Sequence, residues 1–332
     1  MERKKAIFFV DTPFQLLCAI NAIRDFNFIN YRLIIVDDNP MRLTQIINLC
    51  NAYNLKFEFF SLSSVLKCRY YSLLKHIVFS GTHDYDYVFV GDFREYNLGL
   101  YATGYLRKKG EFYFLDDGNV SISLFEGKFL FSRIELLKTW LLKILVNKVF
   151  YKHLKYYSVF SDIRSKLIVV PNRLNYIYNN KMGHSVSGVY FIGTTSVDYC
   201  KYLGIEISKY KENLKRCLID LVSQYPDQDY YYIPHARDAM MEETKQLCKQ
   251  YGFMFLPISE CIEYYLINND SMPLVCSGFG STALYTIKIL SPSTICIHNE
   301  IYGTSETGNF EYKGICEFYK RHGIVINNML ST

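Results

Sequence analysis

The sequence predicts an α/β protein built from two Rossmann-like domains that face each other across a cleft. The chain has 332 residues, about twice the length of an ordinary single domain. Strand patterns alternate with helix patterns in two separate runs, which is typical of parallel sheets wrapped by helices. The polar, Asn- and Gly-rich segment 172–188 lies between the two runs and predicts a linker. The predicted domains are therefore residues 1–171 and 189–332.

The first run begins with residues 6–10, which are all apolar and predict a buried strand. Thr12 and Pro13 follow, and they predict a helix N-cap with proline at the first helical position. The predicted helix, 14–24, carries one apolar stripe that consists of Leu16, Leu17, Ile20 and Ile23. Further strands are predicted at 32–36, 87–90 and 111–115.

Leucines recur at helical spacing within residues 131–160, and lysines lie between them. The pattern predicts a basic amphipathic helix. Such a helix can lie on an anionic membrane surface, or it can bury its apolar face in a core and expose its lysines to water. We favour the core helix, and membrane association through 131–160 is the alternative.

The second run repeats the alternation after the predicted linker. Its strands are predicted at 189–192, 230–233, 253–256, 274–276 and 294–297. Its helices are predicted at 210–224, 239–251, 259–267 and 281–290. Ligands of such sheets bind outside the carboxyl ends of the strands. The residues that follow each strand are therefore the candidates for a functional site.

Composition narrows the function classes. Half of the residues are hydrophobic and 21% are charged, which predicts ordered cores. The net charge of +5 is spread along the chain, and this argues against a nucleic-acid partner. The 10 cysteines show no metal-ligand spacing and predict reduced thiols without a metal site. With no signal-peptide pattern and no membrane-spanning stretch, we expect a cytoplasmic protein, with the inner face of the membrane as an alternative.

An acidic motif, Asp116-Asp117-Gly118, follows the predicted strand 111–115. Two adjacent carboxylates repel each other, which raises a pKa and suits a general base. Gly118 allows a sharp turn that would expose the pair. A solvated turn is the alternative interpretation, because Asp and Gly are common in turns.

A histidine motif follows the predicted strand 230–233. Its residues are Pro234, His235, Ala236 and Arg237. Two side chains that can carry positive charge suit an anionic leaving group, with the histidine as proton donor. A purely structural histidine is the alternative.

A Gly- and Ser-rich loop separates the predicted strand 274–276 from the next helix. Glycines let a ligand approach the backbone, and hydroxyl and N–H groups at a helix start hold phosphate or carboxylate. The candidates in this loop are Ser277, Gly278, Gly280, Ser281 and Thr282. The loop also fits the dinucleotide fingerprint, with Glu300 twenty residues after Gly280, so an NAD site is an alternative. Helix capping by Ser281 is a third interpretation.

The loop after strand 189–192 offers a glycine, hydroxyls and one carboxylate. The candidates there are Gly193, Thr194 and Asp198. By itself this is an ordinary loop between a strand and a helix, and its significance depends on the other three motifs.

Together, the four motifs resemble the bacterial sialyltransferases, in particular glycosyltransferase family 52, whose members have a GT-B fold and make capsule and lipooligosaccharide sialosides. The segments 12–17 (TPFQLL) and 191–193 (FIG) are also similar to that family. One departure concerns the histidine motif: the family shows His-Pro, whereas here Pro234 precedes His235.

The resemblance implies an inverting transfer of sialic acid from CMP-sialic acid to a galactoside hydroxyl of a capsule or lipooligosaccharide, without a cofactor or obligatory metal. The partners are then a nucleotide-sugar donor and a glycan acceptor, and a homodimer is left open. His235 would assist departure of the CMP phosphate, and either Asp198 or Asp116 would be the base, with Asp198 slightly favoured. The donor-side residues are Gly193, Thr194, Pro234, Arg237, Ser277, Gly278, Gly280, Ser281 and Thr282. The acceptor-side residues are Thr12, Gln15, Asp117 and Gly118.

Three other classes share much of this pattern. A different nucleotide-sugar transferase would have the same architecture. An NAD-dependent enzyme would use the loop 278–283, although this loop lies late in the chain. A non-catalytic capsule-assembly protein would keep the fold without turnover.

Overall fold

A computed structural model shows two compact α/β units. The structure describes residues 4–36, 39–60, 83–129, 154–160, 167–179, 185–301 and 310–329. The first unit contains the described residues up to Asp117 and those of 154–179, and the second contains Gly118–Phe129 and the described residues from Ser185 onward. Each unit is a parallel sheet with helices between its strands, which confirms the predicted pair of Rossmann-like domains.

Within the described residues, the first unit has a seven-stranded sheet in the order β3-β2-β1-β4-β5-β6-β7, and its strands pair in parallel. The strands are β1 (Lys5–Val10), β2 (Asn30–Ile35), β3 (Glu58–Phe59), β4 (Tyr85–Val90), β5 (Leu106–Phe114), β6 (Leu154–Ser158) and β7 (Val169–Pro171). The helices of this unit are α1 (Pro13–Asp25), α2 (Pro40–Ala52), α3 (Tyr96–Thr103) and α5 (Asn175–Asn179). The strand order reverses direction between β1 and β4, which is the place where such sheets bind ligands.

Helix α1 begins as the sequence predicts. The Thr12 hydroxyl accepts a hydrogen bond from the Gln15 N–H group at 3.2 Å, and Pro13 is the first helical residue. The cap satisfies one of the N–H groups that a helix start leaves without an intrahelical partner. The predicted apolar stripe is buried against the sheet. The cap therefore fixes the start of α1 directly beyond the carboxyl end of β1.

The second unit has a sheet of six described strands in the order β11-β10-β9-β13-β14-β15, again parallel. These strands are β9 (Val189–Ile192), β10 (Tyr230–Ile233), β11 (Met254–Phe255), β13 (Val275–Gly278), β14 (Ile295–Ile301) and β15 (Val325–Met329). A separate pair consists of β8 (Ser185–Val186) and β12 (Ser271–Met272). The helices are α4 (Asn119–Phe125), α6 (Ser196–Leu203), α7 (Ile207–Gln224), α8 (Met241–Gln250), α9 (Ile262–Asn268), α10 (Ala283–Leu290) and α11 (Phe310–Arg321). Here the strand order reverses between β9 and β13.

The segment Gly118–Phe129 leaves the first unit immediately after Asp117 and packs in the second. Glu126, whose side chain is fully buried, accepts a bond from Arg321 of α11 at 2.5 Å. The division differs from the predicted domain 1–171, because a contact 195 residues away in the sequence leaves no local pattern.

Two further predictions need correction. Most of the predicted helix 131–160 lies outside the described residues, but its last part forms the strand β6, whose Tyr156 and Tyr157 are buried beside β5. The predicted linker 172–188 contains the helix α5 and the short strand β8. Among the helices that the structure describes, none is long and apolar enough to cross a membrane.

Candidate functional site

The carboxyl edge of the second sheet brings the predicted motifs together. β10, β9 and β13 are neighbours in this sheet, so the residues that follow them lie side by side. The loop from Gly193 follows β9, Pro234 and His235 follow β10, and the loop 279–282 follows β13. These three motifs therefore lie at strand ends, as predicted, and all three belong to the second unit.

Two of the predicted glycines have a packing role at this edge. A Cβ atom on Gly278 would lie 2.8 Å from the Ile192 carbonyl oxygen, and one on Gly193 would lie 2.7 Å from Tyr232 Oη. Such distances are too short for a side chain. These glycines allow the ends of β9, β10 and β13 to approach closely, which places the loops next to each other.

A buried histidine holds the loop after β13. The Gly280 N–H group donates to His298 Nδ1 at 3.0 Å, and His298 Nε2 lies 3.0 Å from Tyr312 Oη. Because Nδ1 accepts, the neutral ring carries its proton on Nε2 and donates it to Tyr312. Burial lowers the pKa of His298 to about 3, so the ring is neutral near pH 7. His298 is not among the predicted site residues. The available signal was its place in β14, next to β13.

The hydroxyls of this loop differ in their accessibility. Ser281 and Thr282 are half-buried, and Thr282 is the N-cap residue of α10. Ser277 is 0% exposed within β13, and its Oγ accepts a bond from Asn299 at 2.7 Å. This burial argues against the predicted direct contact of Ser277 with an anion. Thr282 Oγ1 donates to Asn119 Oδ1 at 3.3 Å, so Ser281 remains as the candidate hydroxyl donor of the loop.

The turn after β10 presents the predicted histidine. His235 is half-buried, and its Nδ1 accepts a bond from the Arg237 N–H group at 3.2 Å. The neutral ring therefore carries its proton on Nε2. Pro234 is buried and Arg237 is exposed. The backbone of this turn thus orients the imidazole through Nδ1.

Asp238 joins this turn to the loop after β9. It is 7% exposed, and its Oδ1 accepts bonds from the Ser196 N–H group at 3.2 Å and from Ser196 Oγ at 2.5 Å. The second bond fixes the start of α6, whose first turn contains Asp198. Asp198 is exposed, and Thr194 beside it is half-buried. The carboxylate predicted as a base is therefore accessible at the same edge.

A cavity of about 200 Å³ adjoins the loop after β13. Its lining is mainly aromatic and aliphatic, and it comes from α4, α6, α11 and the loop itself. The lining residues are Asn119, Val120, Ser123, Tyr199, Tyr202, Gly280, Glu311, Tyr312 and Ile315. All of them belong to the second unit.

The carboxyl edge of the first sheet carries a charged cluster. Asp117 accepts a bond from the amide of Gln15 at 3.2 Å and pairs with Arg94. Arg94 also pairs with Asp92 at 2.9 Å. The Gln15 side chain is buried, and it accepts a bond from the Asp11 N–H group at 3.0 Å. The predicted residues Thr12, Gln15 and Asp117 thus meet at the reversal point of the first sheet.

Asp92 and Arg94 are not among the predicted site residues. Both follow β4, which neighbours β1 at the reversal point. The available signal was an acid two residues after the predicted strand 87–90. The second partner of Arg94, Asp117, follows a different strand.

The two carboxylates of the acidic motif differ in their surroundings. Asp116 is 1% exposed, and its oxygens accept bonds from Ser158 Oγ at 2.5 Å and from the Val159 N–H group at 2.7 Å. Burial raises the pKa of Asp116 to about 7 against the effect of these two bonds. Burial also raises the pKa of Asp117 to about 7, with Asp92 as the next cause. The pKa values are raised as expected, but burial, rather than mutual repulsion of the pair, is the main cause.

Gly118, the last residue of the motif, belongs to the second unit. Its φ is 67° and its ψ is −144°, a conformation that is essentially restricted to glycine. A Cβ atom there would lie 2.8 Å from Thr282 Oγ1. The motif therefore divides, with both acids in the first unit and the glycine against the Gly- and Ser-rich loop of the second.

Across the described residues, no group of three or more His, Cys, Asp or Glu side chains has an arrangement that could hold a metal ion. The nine cysteines that the structure describes are free thiols, and Cys68 lies outside the described residues.

Comparison with known proteins identifies the fold. No protein-family model matches the chain, and no curated protein sequence matches it. Among solved structures, the GT-B domain of a sialyltransferase from Photobacterium damselae is 14% identical with a TM-score of 0.57, over 98% of this chain and 99% of that chain. The chain has a GT-B fold.

Two further GT-B-like structures extend this comparison. An alpha/beta-galactoside alpha-2,3-sialyltransferase from the luminous marine bacterium Photobacterium phosphoreum is 14% identical with a TM-score of 0.51, over 98% of this chain and 99% of that chain. A proposed UDP-N-acetylglucosamine 2-epimerase from Listeria monocytogenes is 8% identical with a TM-score of 0.55, over 97% of this chain and 90% of that chain. At these identities the likeness extends to the fold and not to the reaction.

Proposed function

We propose that the chain is an inverting, metal-independent sialyltransferase that moves sialic acid from CMP-sialic acid to a galactoside hydroxyl of a bacterial surface glycan. The observation that carries the proposal is the carboxyl edge of the second sheet. There, a histidine with its proton on Nε2 follows β10, and a loop with a half-buried serine hydroxyl follows β13, on the two sides of β9. The GT-B fold, which the chain shares with two sialyltransferases, supports the same function.

The reaction breaks the bond between the anomeric carbon of sialic acid and a phosphate oxygen of CMP. The bonding electrons remain on that oxygen, which becomes more negative as the bond breaks. His235 donates a hydrogen bond or proton from Nε2 to this oxygen, because its Nδ1 is occupied by the Arg237 N–H group. A hydrogen bond that strengthens as charge develops lowers the barrier.

The loop after β13 holds the remaining charge of the phosphate or of the sialyl carboxylate. Ser281 and Thr282 provide hydroxyls at the start of α10, an eight-residue helix whose N-terminal end favours an anion. The Gly280 N–H group is not a donor to the ligand, because His298 accepts its bond. Thr282 Oγ1 donates its proton to Asn119 Oδ1. We therefore assign the loop's hydroxyl contact with the ligand to Ser281, whose Oγ accepts a bond from the Ala283 N–H group.

The acceptor hydroxyl attacks the anomeric carbon and passes its proton to a carboxylate. Asp198 suits this role because it is exposed in the first turn of α6. Asp116 suits it less, since it is buried and both of its oxygens accept hydrogen bonds. We retain Asp198 as the proposed base. A carboxylate near the reacting centre also stabilises the oxocarbenium-like transition state that glycosyl transfer shares with glycoside hydrolysis.

The charged cluster of the first unit is proposed to bind acceptor hydroxyls. Asp117 and Asp92 offer carboxylate oxygens, and Arg94 is the most exposed member, with 40% of its side chain accessible. Thr12 and Gln15 act through this cluster, since Thr12 caps α1 and Gln15 holds Asp117.

The position of the fingerprint-like loop argues against an NAD-dependent enzyme. The dinucleotide fingerprint belongs to the first strand at the reversal point, whereas this loop follows β13, across the reversal point from β9. Glu300, the acid that would bind the ribose, lies within β14 and is 8% exposed. A buried strand position does not suit a ribose contact.

Turnover with a donor panel tests the proposal. The protein is incubated with CMP-sialic acid and a set of galactosides, and CMP release is measured against reactions without acceptor. UDP- and GDP-sugars are assayed in parallel. The proposal expects acceptor-dependent release from CMP-sialic acid alone. Release from a UDP-sugar instead would favour a different nucleotide-sugar enzyme, in line with the likeness to the proposed epimerase.

A further inference from the structure

Asn119 connects the acidic motif to the Gly- and Ser-rich loop. It is the first residue of α4 and directly follows Gly118. Its Nδ2 donates to the Gly280 carbonyl oxygen, and its Oδ1 accepts a bond from Thr282 Oγ1 at 3.3 Å. A single amide therefore bonds to both ends of the stretch 280–282.

A tyrosine completes this arrangement. Tyr319 Oη of α11 lies 2.8 Å from Asn119 Oδ1 and 2.9 Å from the Ser281 carbonyl oxygen, so one hydroxyl proton serves two acceptors. Thr282 also packs against Gly118. The three residues of the loop are thus each bound by the segment that follows the acidic motif or by the helix against which this segment packs.

The geometry requires the chemistry of an amide. The group that faces the Gly280 carbonyl has to donate, and the group that faces Thr282 and Tyr319 has to accept. Gly280 has a φ of 56°, and its N–H group is bonded to His298. With its N–H and C=O groups both occupied, Gly280 has a fixed peptide orientation, and this orientation sets the direction of the Ser281 hydroxyl.

We propose that Asn119 is a positioning residue that holds the loop 280–282 in its anion-binding conformation. It acts through Gly280 and Thr282 and does not itself contact the reacting atoms. The ligand part of this inference rests on the proposed function, because CMP is the anion in question, whereas the loop conformation can be measured without a ligand.

Asn119→Asp is the informative variant. When the new carboxyl group is ionised, it places an acceptor against the Gly280 carbonyl oxygen and repels it. When it is protonated, its O–H group can donate to that carbonyl while the other oxygen still accepts. The defect of this variant should therefore decrease as the pH falls through the pKa of the new carboxyl group, a behaviour that loss of packing alone does not produce. Asn269→Asp is the matched control, because Asn269 also donates its amide to a backbone carbonyl, that of Tyr265 at 2.8 Å.

The ionisable groups around the new carboxyl are defined. Tyr319 and Tyr312 face it from α11, and Tyr199 from α6, and burial raises the pKa of all three above the ordinary tyrosine value. His298 of β14 packs against Tyr319, and burial lowers its pKa to about 3. Tyr202 and the Glu311 carboxylate line the adjoining cavity. The same groups are present in wild type and variant. Their titration, and that of CMP, therefore cancels when the exchange rate or the CMP dissociation constant of the variant is divided by that of wild type.

Two measurements are made on full-length protein at about pH 5 and pH 8. Hydrogen exchange with mass spectrometry reports on the peptide that covers 280–282, and calorimetry gives the dissociation constant of CMP. At pH 8 we expect Asn119→Asp to speed loop exchange and weaken CMP roughly 5- to 100-fold relative to wild type, as expected for one lost hydrogen bond in a half-buried site. At pH 5 both ratios should be closer to one than at pH 8, and Asn269→Asp should match wild type at both pH values.

The outcomes separate the two proposals. If wild type does not bind CMP while loop exchange still depends on Asn119 and on pH, the proposed donor is wrong and the positioning role stands. If CMP binds and the exchange ratio of Asn119→Asp is one or is independent of pH, Asn119 does not position the loop. Thermal unfolding of each variant shows that the proteins compared are folded.

Discussion

Asp116→Asn should make the stability of the first unit less dependent on pH. Asp116 is 1% exposed, and burial raises its pKa to about 7. The asparagine resembles the protonated acid: its oxygen can accept from the Val159 N–H group and its amide can donate to Ser158 Oγ. The substitution therefore keeps the local contacts and removes the titration.

The magnitude follows from the two pKa values. An unfolded aspartate has a pKa of about 3.9, so the folded state binds the proton more tightly than the unfolded state. The sign of the effect is that stability falls as the pH rises from about 4 to about 7 and is then constant. Each pH unit inside this window costs about 1.4 kcal/mol. Between about pH 5 and pH 8, Asp116 alone should therefore lower the free energy of unfolding by about 2–3 kcal/mol.

Urea unfolding at these two pH values provides the assay. Other groups titrate in both proteins, so the quantity of interest is the difference between Asp116→Asn and wild type. Relative to wild type, the variant should gain about 2–3 kcal/mol on going from pH 5 to pH 8. Asp84→Asn is the control in the same unit, because Asp84 is exposed and the substitution makes the same change of side chain outside the core.

Parallel pH dependences for wild type and Asp116→Asn would refute this reasoning, because they would show that Asp116 is ionised at little cost in the folded protein. The same variant bears on the reaction. Because Ser158 and Val159 occupy its two oxygens, Asp116→Asn should keep most of its turnover. If Asp116→Asn is stably folded but inactive, Asp116 of the acidic motif is the base.

Three further predictions concern the reaction itself. His235→Ala should lower kcat by roughly 10²–10⁴-fold with little change in acceptor KM, as measured by steady-state CMP release; full turnover would remove the histidine from the mechanism. Asp198→Asn should lower kcat by a similar factor and leave CMP affinity intact, since the amide keeps the shape and cannot accept the proton; a loss of CMP affinity would make Asp198 a donor contact. Turnover should persist in EDTA, and an absolute requirement for Mg²⁺ or Mn²⁺ would overturn the metal-independent mechanism.

The sequence predicts much of the second sheet because its strands are short apolar runs with clear ends. The predicted strands 189–192 and 230–233 coincide with β9 and β10, and Gly193 and Pro234 end the two runs. The strand β6 was missed, since periodicity alone does not distinguish a short apolar strand from a buried helix. Pairing of Tyr156 with β5 decides the conformation, and this is a tertiary interaction.

Some residues of the candidate site can likewise be predicted from the sequence, and others depend on tertiary contacts. His235 and the loop from Gly278 to Thr282 could be found because each directly follows a strand. Asn119 could not, because its bond to Gly280 spans 161 residues. The burial of Ser277 could not be predicted either. Its hydroxyl accepts a bond from Asn299, and the sequence does not distinguish such a serine from an exposed serine of a loop.

The proposed function requires a cytidine nucleotide site at the carboxyl edge of the second sheet. Calorimetric titration of CMP into wild type and His235→Ala, with UDP as the reference nucleotide, measures this. We expect CMP to bind wild type more tightly than UDP does, and His235→Ala to weaken CMP roughly 10- to 100-fold, the effect of one hydrogen bond to a charged group. If UDP binds as tightly as CMP, or if His235→Ala binds CMP as tightly as wild type, the nucleotide site or its histidine has been assigned wrongly.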